Sequence, residues 1–462
     1  MSTEIVSGGT TTFSASSSTT YIVITRGTLD IASGGAVSGA TAIGPGSVIW
    51  VEAGGTTTNS SIVGGTQYTI GNSTGTVISS GGIEHVYWGG TATGSVISQG
   101  AYQDVWNGTV NNATLIGNQQ VLAGGVANGT LIILGGHQYV GSGGTTNGTI
   151  ITANGLQYVD AGAAANGTAI NSGGFQYVAG TATDTTVNGG GTQAVEGTAQ
   201  NSTVASGGTQ NVLLGGTASG TIVEADGYQS VAGTIDGTTL TGYLQILAGG
   251  SSTNTVIASG GAAFVGSNGS ATSTTVVAGG LLYVGAGGLV TDTAINGGFQ
   301  FVVGTANGTT VNSGEMDVAG AANDTNLSGG IAHVLTGGTQ NGVNFDGSAA
   351  TLLLDNPAGL TGTVSNFELG DTIDFLNLSV NSFTFDGSTL TLVTNGGNHS
   401  YQFAGTEAGT TMNVVSDGHG GTSVSLSLLS QFSASLVPDA GQDAITPQGS
   451  DPQSTPLVHA QS

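Results

Sequence analysis

Through most of this chain a motif of the form Gln-x-Val, one or more Gly, then Thr-x-Val or Thr-x-Ile returns about every 18 residues. The apolar residues that close the first half of each unit run Ile31, Val51, Ile70, Val86, Val105, Val121, Val140, Val159, Val178, Val195, Val212, Val231, Leu247, Val265, Val284, Val302, Val318 and Val334. Self-similarity at a fixed short period marks a solenoid, because one such unit cannot bury its apolar face alone and must stack on its neighbours. The expected fold is therefore all-β, a parallel β-helix of about 18 rungs. At about 4.8 Å per rung it would be a rod of roughly 85 Å.

Punctuation along the chain agrees. No proline lies between residues 46 and 356, as continuous strand pairing above and below each rung requires. Gly-Gly, Asn-Gly and Asp-Gly interrupt every segment before a helix could gather turns, and they supply the backbone conformations of tight corners. The 86 glycines among 462 residues lack a collagen period, so they read as corner residues. Four segments follow: an N-terminal cap over 1–28, repeats over 29–345, a C-terminal β-domain over 346–428 and a disordered tail over 429–462, which holds four of the six prolines.

Positions within the repeat separate by face. Residues two apart on a strand point the same way, so the Gln two before the closing residue should face inward with it. The ten such residues are Gln103, Gln119, Gln138, Gln157, Gln176, Gln193, Gln210, Gln229, Gln245 and Gln300, and an amide ladder between rungs would satisfy them. The second half of the unit places Thr or Ser two before an apolar residue, as at Ser95, Thr149, Thr168 and Ser202. Ile116 is read as one of these inward apolar positions.

Charge narrows the function classes. Eighteen Asp and eight Glu face a single Arg26 and no Lys, for a net charge of −25. Phosphate binding needs clustered Lys and Arg, so nucleic acid is excluded as a partner. There is no cysteine, which removes disulfides, thiolate metal sites and Cys nucleophiles. The N-terminus lacks a basic region and an apolar run, so no standard signal peptide is expected there. No stretch approaches the roughly 20 apolar residues of a membrane-spanning helix.

Units such as Asn171-Ser-Gly-Gly-Phe-Gln-Tyr-Val178 and Ala205-Ser-Gly-Gly-Thr-Gln-Asn-Val212 resemble the AIDA-type repeat of autotransporter adhesin passengers. The resemblance implies a right-handed parallel β-helix at the bacterial surface or outside the cell, with adhesion, self-aggregation and biofilm growth as its activities. Some family members carry sugars on Ser and Thr. Autotransporters also have a signal peptide and a C-terminal β-barrel, which this sequence lacks, so a fragment, a stand-alone secreted protein or a phage- or plasmid-borne relative is expected. The segments around Gly370-Asp-Thr-Ile-Asp-Phe375 and Asp417-Gly-His-Gly-Gly421 resemble the module that joins such repeats to self-processing Hint domains, whose Cys nucleophile is missing here.

Chemistry is sparse. A β-helical polysaccharide lyase needs a Lys or Arg beside clustered acids, and Arg26 is the only basic residue of that kind. Paired carboxylates for hydrolysis are not evident, since Asp104, Asp160, Asp184 and Asp236 sit on different rungs beside turn residues. The six histidines show no ligand spacing; His85, His137 and His333 fall at outward positions. Asp371 and Asp374, with Asp386 or Asp417, are the candidates for a Ca²⁺ site, against their reading as turn and strand-end residues. No other cofactor is implied. Asn-x-Ser/Thr at Asn128, Asn147, Asn166 and Asn307 coincides with the Asn-Gly-Thr corner and reads as a turn.

The candidate binding surface is an outward stripe. Tyr139, Leu156, Tyr158, Phe175 and Tyr177 form one aromatic and apolar cluster on successive rungs; Phe264, Leu281, Tyr283, Phe299 and Phe301 form another. Such ridges could contact cell-surface glycans or another copy of the rod. The expected function is that of a non-enzymatic adhesin acting through its lateral face. A polysaccharide-degrading enzyme or an architectural spacer are the alternatives.

Overall fold

In the computed structural model, which describes residues 3–347 and 349–428, parallel strands climb turn upon turn from Thr3–Ser7 to Thr372–Phe375. The result is a parallel β-solenoid of about 21 turns. At about 4.8 Å per turn its length is about 100 Å. The extra turns lie at both ends of the repeat. Thr3–Ser7 pairs with Thr20–Ile24, and Thr10–Phe13 with Thr28–Ile31, both parallel. Beyond Phe345, Thr351–Leu354 and Thr372–Phe375 continue the same parallel column. Sequence periodicity fades there, whereas backbone pairing needs only a free strand edge and so outruns it.

Closure of the far end is antiparallel. Ser382–Phe385, Thr389–Thr394 and Gly397–Ala404 form a meander, and Thr422–Leu428 pairs with both Thr410–Ser416 and Thr372–Phe375. Phe345, Phe367, Phe385 and Phe403 meet edge to face beneath this lid. The expected tail, 429–462, lies outside the described residues. Among the described residues no helix is long and apolar enough to cross a membrane.

Each turn has three short strands. Ile83–Tyr87, Thr91–Thr93 and Val96–Ile97 make up one of them. The first strand sends in a Gln (here Glu84) and a closing apolar residue; the third sends in Ile97, preceded by the buried Ser95. The middle strand, which the two-part motif conceals, contributes a small residue: Ala92, Ala127, Ala165, Ala182 and Ala218 are all buried. A small residue facing a long one is what a section one side chain thick needs to pack without voids. Glycine before the middle strand answers the same crowding: a Cβ on Gly90 would run into the carbonyl of Thr69.

Nine of the ten expected inward glutamines are buried. Eight of them form a chain along the axis. Each amide from Gln119 to Gln229 donates its Nε2–H to the Oε1 of the Gln one turn earlier, at 2.6–2.8 Å. Gln103 begins the chain by donating to Glu84 at 2.7 Å. Glu84 itself is wholly buried and also accepts from Gln67, Ser73 and Ser95 at 2.8–3.0 Å. With every amide pointing its N–H the same way, the dipoles align, and a carboxylate stands at their positive end, the arrangement a helix dipole favours at its N-terminus.

Four inward assignments need correction. Gln245 faces outward and accepts from the Tyr228 hydroxyl; Leu244 takes its inward place and Ile246, not Leu247, closes that rung. Thr69, not Ile70, is the inward closing residue of its rung, because Thr69 stands in register with Val51 and Val86. That one-residue slip hid Gln67, which is buried, and Tyr68, which faces out. Leu115 rather than Ile116 is in register with Ile97 and Ile132. Since the side-chain period of a strand is two, a slip of one residue exchanges the faces.

Candidate functional site

The outward residue just before the closing position stacks into a column because consecutive turns pair in register. Three aromatic runs stand in it. Trp50, Tyr68 and His85 form the first, Tyr139, Tyr158 and Tyr177 the second, and Phe264, Tyr283 and Phe301 the third.

In the second run the ring centroids are 5.6 and 5.0 Å apart and the planes are within 12° of parallel. In the third the spacings are 5.3 and 5.5 Å, within 17°. Rings so stacked spend their faces on one another and offer solvent their edges. Leu156 and Phe175, and Leu281 and Phe299, flank these stacks as neighbours on the same rungs. Both sequence-derived clusters are thus brought together as ridges. A further pair, Tyr228 and Tyr243, stacks at 5.6 Å beside a depression lined by Gly227, Ser259 and Ala262.

Acidic side chains tie down the second ridge. Tyr139 donates to Asp160 at 2.6 Å, and Tyr177 donates to Glu196. The hydrogen bond to Asp160 pushes the Tyr139 phenol up and holds the Asp160 carboxyl below its usual range, helped by the backbone amide of Ala161. The hydrogen bond to Glu196 pushes Tyr177 up to about 12.

The most accessible aromatic surface lies beside the first run, and the sequence reading passed over it. Trp50 packs on Tyr68 at 4.7 Å, Tyr68 stacks on His85 at 5.0 Å, and His85 on Tyr87 at 5.2 Å. Tyr87 then meets Trp88 and, edge on, Trp106. Trp88 is 67% exposed and Trp106 53%. All three tryptophans of the chain therefore lie in one patch. Trp88 also holds φ +47°, a left-handed conformation rare for a bulky side chain. Held at the corner Trp88-Gly89, that backbone aims the indole outward. His85 Nδ1 lies 3.0 Å from the Tyr87 hydroxyl and 3.1 Å from Asp104 Oδ2. Burial first, then the nearby Asp104 charge, pushes the Tyr87 phenol up. The available signal was the clustering of tryptophan; the slip at Ile70 removed Tyr68 from the column and broke the pattern.

Three of the four Ca²⁺ candidates accept backbone amides. Asp371 is buried, and its two oxygens accept the backbone amides of Ala350 at 3.1 Å and Glu368 at 2.9 Å. Asp386 caps the Ser388–Thr389 turn and Asp417 the His419–Gly421 turn. Asp374 lies partly buried near Asp417 and His419, and burial raises its carboxyl. Asn128, Asn147 and Asn166 form an exterior ladder from Asn111, each amide donating to the preceding turn at 2.8–2.9 Å, and Asn323 donates likewise to Asn307.

This rod with a ridged, aromatic outer face defines the class: a β-solenoid whose variable residues lie on its side. No protein-family model matches the chain, and no curated protein does. Among solved structures it is similar to a TibA fragment described as hyper-glycosylated under TibC catalysis. That likeness has 33% identity over 65% of this chain and 96% of the fragment, with a TM-score of 0.43. PfbA, a surface adhesin of Streptococcus pneumoniae, is a remote neighbour at 10% identity and a TM-score of 0.11, covering 84% of this chain and 91% of that one, too distant to carry an argument.

Proposed function

We propose that the protein is a non-enzymatic adhesin, displayed at a bacterial surface or outside the cell, that binds through the lateral aromatic face of its solenoid. The observation that carries this reading is the gathering of Trp50, Tyr68, Tyr87, Trp88 and Trp106 into one patch, with two indoles largely exposed. Exposed indole and phenol surfaces suit the apolar faces of sugar rings and also suit a second rod. Similarity to the TibA fragment supports an adhesin-like role. Because that fragment is described as hyper-glycosylated, the half-exposed outward threonines of the middle strands, such as Thr91, Thr93, Thr181 and Thr183, are the acceptors we assign for any sugar on this chain.

Cells displaying the whole chain are expected to clump or adhere more than cells without it. The double substitution Trp88→Ala and Trp106→Ala should remove most of the gain while leaving surface display and circular dichroism intact. Equal adhesion by the substituted rod would overturn the reading.

A further inference from the structure

Near the lid end the same outward column changes character. Phe301 is followed by Asp317 and then His333 on the next two turns, with Glu315 two residues before Asp317 on the same face. Glu315, Asp317 and His333 each place one ligating atom within 4.8 Å of the others, the one such group of three among the described residues. All three are partly buried.

The imidazole is oriented from behind. His333 Nε2 lies 3.0 Å from Asp355 Oδ1, and the other Asp355 oxygen is fixed by the backbone amide of Thr336 at 2.9 Å and its hydroxyl at 3.1 Å. With Nε2–H given to Asp355, the lone pair of Nδ1 faces Asp317 Oδ1 across 3.8 Å. That oxygen is buried and has no hydrogen-bond partner. Two electron pairs thus confront each other over a gap too long for a hydrogen bond. A metal ion about 2.0–2.2 Å from each ligand spans such a gap. A carboxylate holding the far nitrogen of a ligating histidine is the usual outer-shell device of these sites.

We propose that Glu315, Asp317 and His333 Nδ1 form a binding site for a divalent transition-metal ion such as Zn²⁺, with Asp355 as the residue that positions the imidazole. One nitrogen and two carboxylates select such an ion over Ca²⁺ and Mg²⁺, which take oxygen ligands. The site stands apart from the Trp88 patch and does not rest on the adhesin reading.

The test is calorimetric titration of the whole chain with ZnCl₂ at neutral pH, with CaCl₂ and MgCl₂ titrated alongside. One Zn²⁺ site is expected that persists in excess Mg²⁺, is lost in His333→Ala and Asp317→Asn, and weakens about 10- to 100-fold in Asp355→Asn. His399→Ala, on the exposed meander, should leave it unchanged. Circular dichroism and thermal unfolding of each variant separate loss of binding from loss of fold. Absence of a Zn²⁺ site in the folded wild-type chain overturns the proposal, as does a site that survives His333→Ala or that Ca²⁺ fills equally well.

Discussion

The solenoid carries two different cores under one backbone. From Gln67 to Gln229 the first strand lines the axis with a polar chain of amides ending on Glu84. After Gln229 the same inward position holds Leu244, Ala263, Leu282, Gln300, Met316 and Ala332. In the first stretch several third-strand threonines find amide partners, as Thr149 does with Gln138 and Thr168 with Gln157, although Thr130 and Thr185 do not. In the second, Thr255, Thr274, Thr293 and Thr309 are buried without any, and so are both polar atoms of Gln300. Backbone pairing with apolar packing is therefore enough to build the rod; the ladder adds a demand that each turn match its neighbours in register. A buried amide is favourable when it belongs to a chain and costly when it stands alone.

Breaking the ladder at its charged end should have the largest effect. Glu84→Ala leaves the donors of Ser73, Ser95 and Gln103 without an acceptor, while Gln67 keeps the hydroxyls of Thr69 and Thr76. At about 1–3 kcal/mol for each buried orphan, the loss is several kcal/mol, visible as a marked fall in the urea midpoint of the turns around residue 84. Glu84→Gln should be much milder, because Gln67 Oε1 is buried and unpartnered and can accept from the new amide once Gln67 turns over. Equal damage from both substitutions would show that the carboxylate, and not acceptance as such, is what the ladder requires.

The second contrast is a reversal of sign. Gln157→Leu removes a donor to Gln138 and the acceptor used by Gln176 and Thr168, and should lower stability by about 2–4 kcal/mol. Gln300→Leu takes away an amide with no partner and should leave stability unchanged or raise it by about 1–2 kcal/mol. Because solenoids unfold in segments, hydrogen exchange resolved to the affected turns is the suitable measurement. A matching loss at residue 300 would erase the distinction between the two cores.

The smallest effect lies on the outer faces. The second aromatic run ends on Tyr177 bonded to Glu196, whereas the third ends on Phe301, which has no hydroxyl. Tyr177 is raised to about 12 by its hydrogen bond to Glu196, against an ordinary value near 10. Since the folded value is the higher, this contact stabilises fully below about pH 10 and its contribution disappears as pH rises through 12. In an ultraviolet titration Glu196→Gln should move one tyrosine back towards 10, and Tyr177→Phe should delete that same ionisation. A titration curve unaltered by Glu196→Gln would mean that the outer tie is absent.

Much of this architecture was legible before any coordinates. The repeat names an all-β solenoid, and inward Gln176 and Val178 follow from alternation along one strand. The tyrosine run at 139, 158 and 177 follows from the same phase carried over turns. What failed did so where phase could not be read locally. In Thr66-Gln-Tyr-Thr-Ile70 the apolar residue is the outward one, and in Tyr243-Leu-Gln-Ile-Leu247 two apolar residues compete for the closing place. Only pairing with the rungs on either side decides such cases. The middle strand was missed because its inward residue is often Ala, too small to register as an apolar signal.

The sequence by itself determined the period, the solenoid class, the corners and the direction in which most side chains point, since all of these follow from interactions within about 18 residues. Tertiary structure decided everything that depends on lateral neighbours: the chain of amides ending on Glu84, the convergence of three tryptophans, and the meeting of Glu315 and Asp317 with His333 and Asp355. Partners on successive rungs stand 16 to 22 positions apart along the chain yet adjacent in space, and a separation of that kind is set by strand register, which no single repeat contains.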